Sequence, residues 1–132
     1  MDKTVWSAGK NIDLEINCGS GMSVTIGRQS YSRGTYSLKL ANDEDLKISV
    51  STRVPGTKIE REGDVAYHRV HYMTMYIKSS NGGTIDSYQS DDNYNLDYIY
   101  VSGQCIAPFT KFKNGDKLFL TATIKYYLKE IG

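Results

Sequence analysis

The chain has 132 residues, of which 16 are basic and 15 acidic, and its formal net charge is +1. This length suits one domain with a sizeable core, so we expect a single domain over residues 1–132. No two Lys or Arg residues are adjacent, and no apolar run approaches the length of a membrane span. These two observations argue against a nucleic-acid-binding surface and against a transmembrane segment.

Alternating polarity predicts several short β-strands in the first half of the chain. From Lys10 to Cys18 the apolar residues occupy every second position, which places them on one face of a strand. The glycine-rich segment 19–21 ends this strand, and the polar segment 42–45 predicts a solvated turn. The four strands expected here are Lys10–Cys18, Met22–Ile26, Tyr36–Leu40 and Leu46–Val50.

The second half begins with a longer β-rich segment, Val65–Lys78. Its apolar residues do not keep one parity, so we expect a bulge or burial on both faces. The turn sequence Asn81-Gly82-Gly83 predicts a hairpin with a returning strand over Thr84–Tyr88. Further strands are expected over Leu96–Ser102 and Leu118–Leu128, the last with strict alternation.

About eight strands at short spacing, without a helical period, predict an all-β fold, an antiparallel sandwich or barrel. The inward positions of these strands define the expected core. It consists of Leu14, Ile16, Leu38, Leu40, Ile48, Val50, Leu120 and Ile124.

The two cysteines, Cys18 and Cys105, share no metal-ligand spacing with each other or with a histidine. Positions at strand ends can lie on neighbouring strands, so we expect a Cys18–Cys105 disulfide, which suits a small β-rich secreted domain. Two buried, reduced thiols are the alternative. We expect no signal peptide at the N-terminus, which leaves an intracellular protein or a mature secreted domain with an added methionine.

Two other groups of residues are candidate sites. His68 and His71 are three residues apart, so on a strand they point to opposite faces and cannot chelate a metal together. The segment 91–97 begins like a calcium loop but lacks its glycine and its glutamate, so we interpret it as a polar surface loop. A sugar or calcium contact there stays open. The candidate ligand surface is Tyr88, Asp91, Asp92, Tyr94, Asp97 and Tyr98.

Catalytic chemistry has no recognisable constellation in this sequence. No serine or cysteine has a motif that places it beside a base, and no paired carboxylates have a catalytic context. The glycines flank strands and do not precede the helix of a phosphate-binding loop. We therefore expect a non-enzymatic protein with no cofactor and no metal.

The end of the chain resembles the final strand of chaperone–usher pilus subunits, of the minor or tip type. Gly115-Asp116 is followed by alternating apolar residues, namely Leu118, Leu120, Ala122, Ile124 and Tyr126. The resemblance implies an immunoglobulin-like sandwich of about 7–9 strands that lacks one strand. A neighbouring subunit or a periplasmic chaperone would supply the missing strand by β-strand addition along this final strand.

The expected function is therefore that of a subunit of a secreted or cell-surface fibre, which assembles by strand addition and binds a host glycan or protein receptor. A stand-alone carbohydrate-binding or phage-type attachment module, with a complete β-sandwich, is the alternative. The two differ in one structural feature, because only the first lacks a strand at the edge of the sheet as a monomer.

Overall fold

The computed structural model describes residues 8–54, 59–90 and 99–131. This part of the chain folds into β-strands and a single turn of 3-10 helix at Phe109–Lys111. The ten strands are β1 (Lys10–Cys18), β2 (Ser23–Ile26), β3 (Gln29–Tyr31), β4 (Gly34–Leu40), β5 (Leu46–Val54), β6 (Ile59–Glu62), β7 (Val65–Ser79), β8 (Thr84–Gln89), β9 (Ile99–Ala107) and β10 (Lys117–Glu130). None of the described segments is a helix long and apolar enough to cross a membrane.

The strands form two sheets that pack face to face, so the predicted all-β sandwich is confirmed. The larger sheet has the order β4-β1-β10-β7-β6, and β8 pairs with β7 on the same side as β6. The smaller sheet has the order β3-β2-β5-β9. All neighbours are antiparallel except β1 and β10, which run parallel.

The core lies between the sheets, where the alternation predicted it. Leu14, Ile16, Ile48, Val50 and Leu120 are each at most 1% exposed. Of the other expected core residues, one is also buried and two are partly buried at the margin; these are Leu40, Leu38 and Ile124. One end of the core is closed by Lys10, whose ammonium group donates hydrogen bonds to the carbonyls of two phenylalanines, Phe109 and Phe112.

Strand β7 is buried on both faces at its centre, as its mixed parity predicted. Val70 and His71 are consecutive and both buried. The pairing of β7 with β10 is regular from Tyr67 to Ser79, so no bulge interrupts that side. The irregularity lies on the other side, between β7 and β8.

Two short strands, β3 and β6, were not predicted because they lack an alternating apolar pattern. The segment Gln29–Tyr31 is polar, and Ile59–Glu62 is mostly charged. The predicted strand Leu96–Ser102 is found only in part, because residues 91–98 lie outside the described residues. Strand β9 also extends to Ala107, so Cys105 lies within a strand and not at a strand end.

The two sheets meet closely where β8 passes β9. The amide of Ile106 donates a 2.7 Å hydrogen bond to the Asp86 carboxylate, which satisfies a backbone donor of β9 from the other sheet. Beside it, the ring of Tyr88 fills the space where a side chain at Gly103 would lie. This side of the sandwich is therefore closed by contacts of β8 side chains with the backbone of β9 rather than by strand pairing.

Candidate functional site: the open edge of the last strand

Strand β10 has two parts that differ in their neighbours. From Lys117 to Ala122 it lies between β1 and β7. Strand β1 ends at Cys18, opposite Ala122, and the chain then turns away at Gly19. From Thr123 onward β7 remains paired to β10 on one side, and no described strand pairs with the other. We call the segment 123–130 the open edge.

This arrangement corrects the predicted strand-addition edge. Leu118, Leu120 and Ala122 belong to the central part of the sheet, where their main-chain groups already have strand partners on both sides. Ile124 and Tyr126 belong to the open edge. The prediction was wrong for the first three because local alternation shows which face of a strand is buried but not which strands lie beside it.

Backbone hydrogen bonds fix which groups of β10 point to the open edge. The N–H and C=O of one strand residue point to the same side, and the side alternates along the chain. The amide of Asp13 donates to the carbonyl of Asp116 at 3.0 Å, so even-numbered residues point to the β1 side. The amide of Ile131 donates to the carbonyl of Ala66 at 2.9 Å, so odd-numbered residues point to β7. The residues whose main-chain groups point to the open edge are thus Ile124, Tyr126, Leu128 and Glu130.

The open edge carries exposed apolar side chains on both faces. Tyr126 and Leu128, on the face that continues the core, are 49% and 45% exposed. Tyr127, on the opposite face, is 42% exposed. An edge strand with exposed apolar side chains and outward-pointing backbone groups is a template for another strand.

Neighbouring residues of β7 hold Tyr126 in place. The guanidinium carbon of Arg69 lies 4.4 Å from the centre of the Tyr126 ring. Arg69 is itself fixed by a 2.7 Å ion pair between its Nε and Oε2 of Glu60. The ring of His71 lies 5.8 Å from that of Tyr126. Burial, together with the charge of Arg69, lowers the pKa of His71, so the imidazole beside this tyrosine favours its neutral form.

A hollow of about 550 Å³ adjoins the start of the open edge. It is lined by the end of β1, by the turn after it and by β10 from Thr121 to Ile124. Among the described residues of its wall, Arg33 carries the charge. The hollow therefore leaves space beside β10 immediately beyond the last residue of β1.

The predicted disulfide is absent, because Cys18 and Cys105 are free and buried. The expectation required neighbouring strands, and the structure places the cysteines in different sheets. Cys18 pairs with Ala122 in the larger sheet, whereas Cys105 pairs with Ile48 in the smaller one. Burial raises the pKa of both thiols, that of Cys105 to about 12. In this structure the two cysteines are reduced and pack as small apolar side chains, which was the alternative.

Of the candidate ligand surface, the structure describes only Tyr88. Its side chain is 39% exposed and lies beside a shallow groove of about 460 Å³ on the outer face of the smaller sheet. The other five residues, Asp91, Asp92, Tyr94, Asp97 and Tyr98, lie outside the described residues. The groove was not predicted, because its hydroxyl-bearing residues are ordinary outward positions of strands.

The two histidines lie on opposite faces of β7, as their spacing predicted. His71 faces the same side as Met73 and contacts Tyr126, whereas His68 is opposite Lys129 in the odd-numbered set. Within residues 8–54, 59–90 and 99–131, no group of three or more His, Cys, Asp or Glu side chains is placed to hold a metal ion.

Comparisons with known proteins add no relationship to these observations. The chain has no significant match to a protein-family model, to a curated protein or to a solved structure.

Proposed function

We propose that this chain is a non-enzymatic binding and assembly module that takes up a partner strand at the open edge of β10. The observation that carries this proposal is the combination of outward-pointing backbone groups and exposed apolar side chains over residues 124–130. β-Strand addition uses both features, because main-chain hydrogen bonds supply affinity and alternate side chains supply specificity.

The expected energy of such an addition is modest for each contact and substantial in sum. Each main-chain hydrogen bond contributes a net ~0.5–1.5 kcal/mol, and each favourable cross-strand pair of side chains adds about 0.2–1 kcal/mol. The edge residues are already held by β7, so their backbone requires little further ordering on binding. A partner strand that spans the open edge can therefore bind without any rearrangement of the sheet.

The resemblance to pilus subunits suggests a secreted or cell-surface fibre as the setting, with neighbouring subunits and a periplasmic chaperone as partners. The geometry alters one element of that hypothesis. In such subunits the final strand borders a groove left by a missing strand, whereas here β1 lies beside Leu118–Ala122. The proposal therefore rests on the open edge after Ala122 and not on a missing strand.

Hydrogen exchange of the edge amides tests the proposal. The probes are acetylated ten-residue peptides of alternating valine and polar residues, and the control peptides have the same composition with a central proline. The strand-forming peptides should slow the exchange of the amides of Ile124 and Leu128 and raise the melting temperature. If exchange is slowed only at β3 or β4, or nowhere at millimolar peptide, the proposal is wrong.

Two proline variants check the direction of the backbone groups. Tyr126→Pro removes an N–H that faces the open edge, so it should abolish peptide binding with little loss of stability. Tyr127→Pro removes an N–H that bonds to β7, so it should lower the melting temperature further than Tyr126→Pro does. Tyr126→Val, which keeps the backbone donor and the strand preference, is the matched control and should still bind peptide.

A second candidate function is recognition of a neutral saccharide in the groove beside Tyr88. Among the described residues, the wall of this groove contains hydroxyl and amide side chains and no charged side chain. It is formed by Thr25, Ser49, Ser51, Tyr88, Ser102 and Gln104, with Val50 and Gly103. Hydroxyl and amide groups match the donors and acceptors of a sugar, and a partly exposed tyrosine ring matches its apolar face. Neutral oligosaccharides should then raise the melting temperature in the wild type and in Tyr126→Pro but not in Gln104→Ala. A null result with a broad panel of such oligosaccharides would exclude this candidate.

A further inference from the structure

We propose that the strand added at the open edge is the same segment of a second copy of this chain, antiparallel and with Leu128 opposite the partner's Leu128. This inference rests on the proposed function, because it identifies the partner at the same site. Its basis is the set of side chains that each possible register places opposite one another.

Symmetry restricts the registers to a small number. A two-fold axis perpendicular to the sheet pairs the edge with itself and keeps side chains of one face on the same side. On this edge, the main-chain groups of the even-numbered residues point outward. In a hydrogen-bonded antiparallel pair, an even-numbered residue of one copy must therefore lie opposite an even-numbered residue of the other copy. The registers that pair most of these residues place Tyr126, Tyr127 or Leu128 on the axis.

The register centred on Tyr126 is blocked by β1. It would place the partner's Glu130 directly opposite Ala122. That position is already occupied by Cys18, which pairs with Ala122 at the end of β1. The incoming strand would therefore collide with β1.

The register centred on Tyr127 is opposed by charge. It would place Lys125 directly opposite the partner's Lys129, and symmetry repeats this contact. Both lysines are exposed, and like charges directly opposite one another destabilise an antiparallel pair.

The register centred on Leu128 avoids both problems. It places Leu128 against the partner's Leu128, and Tyr127 against the partner's Lys129. Tyr126 meets the partner's Glu130 on the face where Arg69 lies 4.4 Å from the Tyr126 ring. The partner's carboxylate thus approaches the side of Arg69, whose guanidinium group also keeps its ion pair with Glu60, so this register places opposite charges near one another across the axis.

The size of this contact predicts a weak dimer. Three pairs of outward-pointing residues, each exchanging two main-chain bonds, give about six hydrogen bonds. An interface of one edge strand buries less than the ~1,200–2,000 Å² of stable complexes. The dimer should therefore depend on concentration, and sedimentation velocity of the wild type should shift toward dimer between about 10 µM and 1 mM, whereas Tyr126→Pro stays monomeric.

Cysteine cross-linking identifies the register. In the proposed dimer the two Leu128 Cα atoms are about 5.5 Å apart, within the range that a disulfide bridges. Under mild oxidation Leu128→Cys should give a reducible covalent dimer at least tenfold faster than Tyr126→Cys or Tyr127→Cys. Lys47→Cys, at an exposed position on the other sheet, gives the rate of cross-linking by random collision. The wild type gives the rate that comes from the two buried native thiols.

The outcomes separate this inference from the function on which it rests. Fastest cross-linking of Tyr126→Cys or Tyr127→Cys, or no cross-linking above the Lys47→Cys rate, overturns the inference. If strand peptides still slow exchange at the edge in that case, the edge binds a different partner and the proposed function stands. If neither experiment gives a signal, both are wrong. The substitution Glu130→Lys, which places a cation opposite Tyr126 and Arg69, should lower the cross-linking rate of Leu128→Cys.

Discussion

Replacing Gly103 with alanine tests the contact that closes one side of the sandwich. A Cβ atom at this position would lie 2.6 Å from Cδ2 and 2.7 Å from Cε2 of Tyr88, and 3.0 Å from Sδ of Met75. These distances are shorter than carbon and sulfur atoms tolerate without a bond, so the ring, the thioether or β9 must move. The substitution is therefore expected to destabilise the fold by overpacking.

The loss of stability in Gly103→Ala depends on which neighbouring side chain moves to make room for the new methyl group. Tyr88 is 39% exposed and its ring can swing outward, whereas Met75 is 1% exposed and has little room. We expect a cost of about 1–3 kcal/mol, the usual range for an added methyl group in a packed region. At about 3–5 °C per kcal/mol for a domain of this size, the melting temperature should fall clearly.

Urea unfolding of a double-mutant cycle measures this cost and assigns its cause. The four proteins are the wild type, Gly103→Ala, Tyr88→Ala and the double variant. Because Tyr88→Ala removes the ring, Gly103→Ala should cost at least about 0.5 kcal/mol less in that background. Gly19→Ala is the matched control, since its Cβ would meet only Cε of Met22 at 3.6 Å. A Gly103→Ala variant as stable as Gly19→Ala, or equal costs in both backgrounds, would refute the packing described here.

Three further predictions concern burial. Leu120→Ala should lower the free energy of unfolding by about 2–5 kcal/mol because Leu120 is fully buried. Ile124→Ala should lower it less because Ile124 is only half-buried. Equal urea midpoints for the two variants would contradict this. Iodoacetamide at pH 8 should not alkylate Cys18 and Cys105 in the folded protein, since burial raises the pKa of both thiols. Mass spectrometry should find both cysteines alkylated after unfolding. An unfolded chain that does not react would reveal a disulfide. The lowered pKa of His71 predicts full stability above about pH 6.5 and a loss as pH falls below it, because the unfolded chain binds the proton more tightly. Thermal melts at several pH values should show that this loss disappears in His71→Phe and persists in His68→Phe. The opposite result would contradict the assignment of the loss to His71.

The fold class was predictable because burial on one face of a strand imposes a period of two on the sequence. In β1 this period is complete, and the buried residues are those that the sequence placed inward, from Ile12 to Cys18. The same period of two also predicted which residues are buried in β5 and in the first part of β10. The sequence also located two turns, since Gly21, in the segment that ends β1, and Gly82 adopt the positive φ that tight turns favour.

The neighbours of each strand could not be predicted in the same way. Period and propensity are local, whereas pairing depends on contacts between distant segments. The parallel pairing of β1 with β10 joins strands about a hundred residues apart and has no local signal. Both wrong predictions, the disulfide and the edge at Leu118–Ala122, depended on knowing which strands lie side by side.

The last part of β10 also shows how a strand pattern can persist without burial. Alternation suggested that one face of the final strand is buried to its end, yet residues 125–130 are exposed on both faces. Here β-forming tyrosines and leucine keep the segment extended, and pairing with β7 holds it. Lys125 and Lys129 flank Tyr127 on the same face, and charged residues on an edge commonly limit unselective pairing. In this chain they oppose one self-pairing register while the end of β1 blocks another, so the features that protect the open edge also favour the register centred on Leu128.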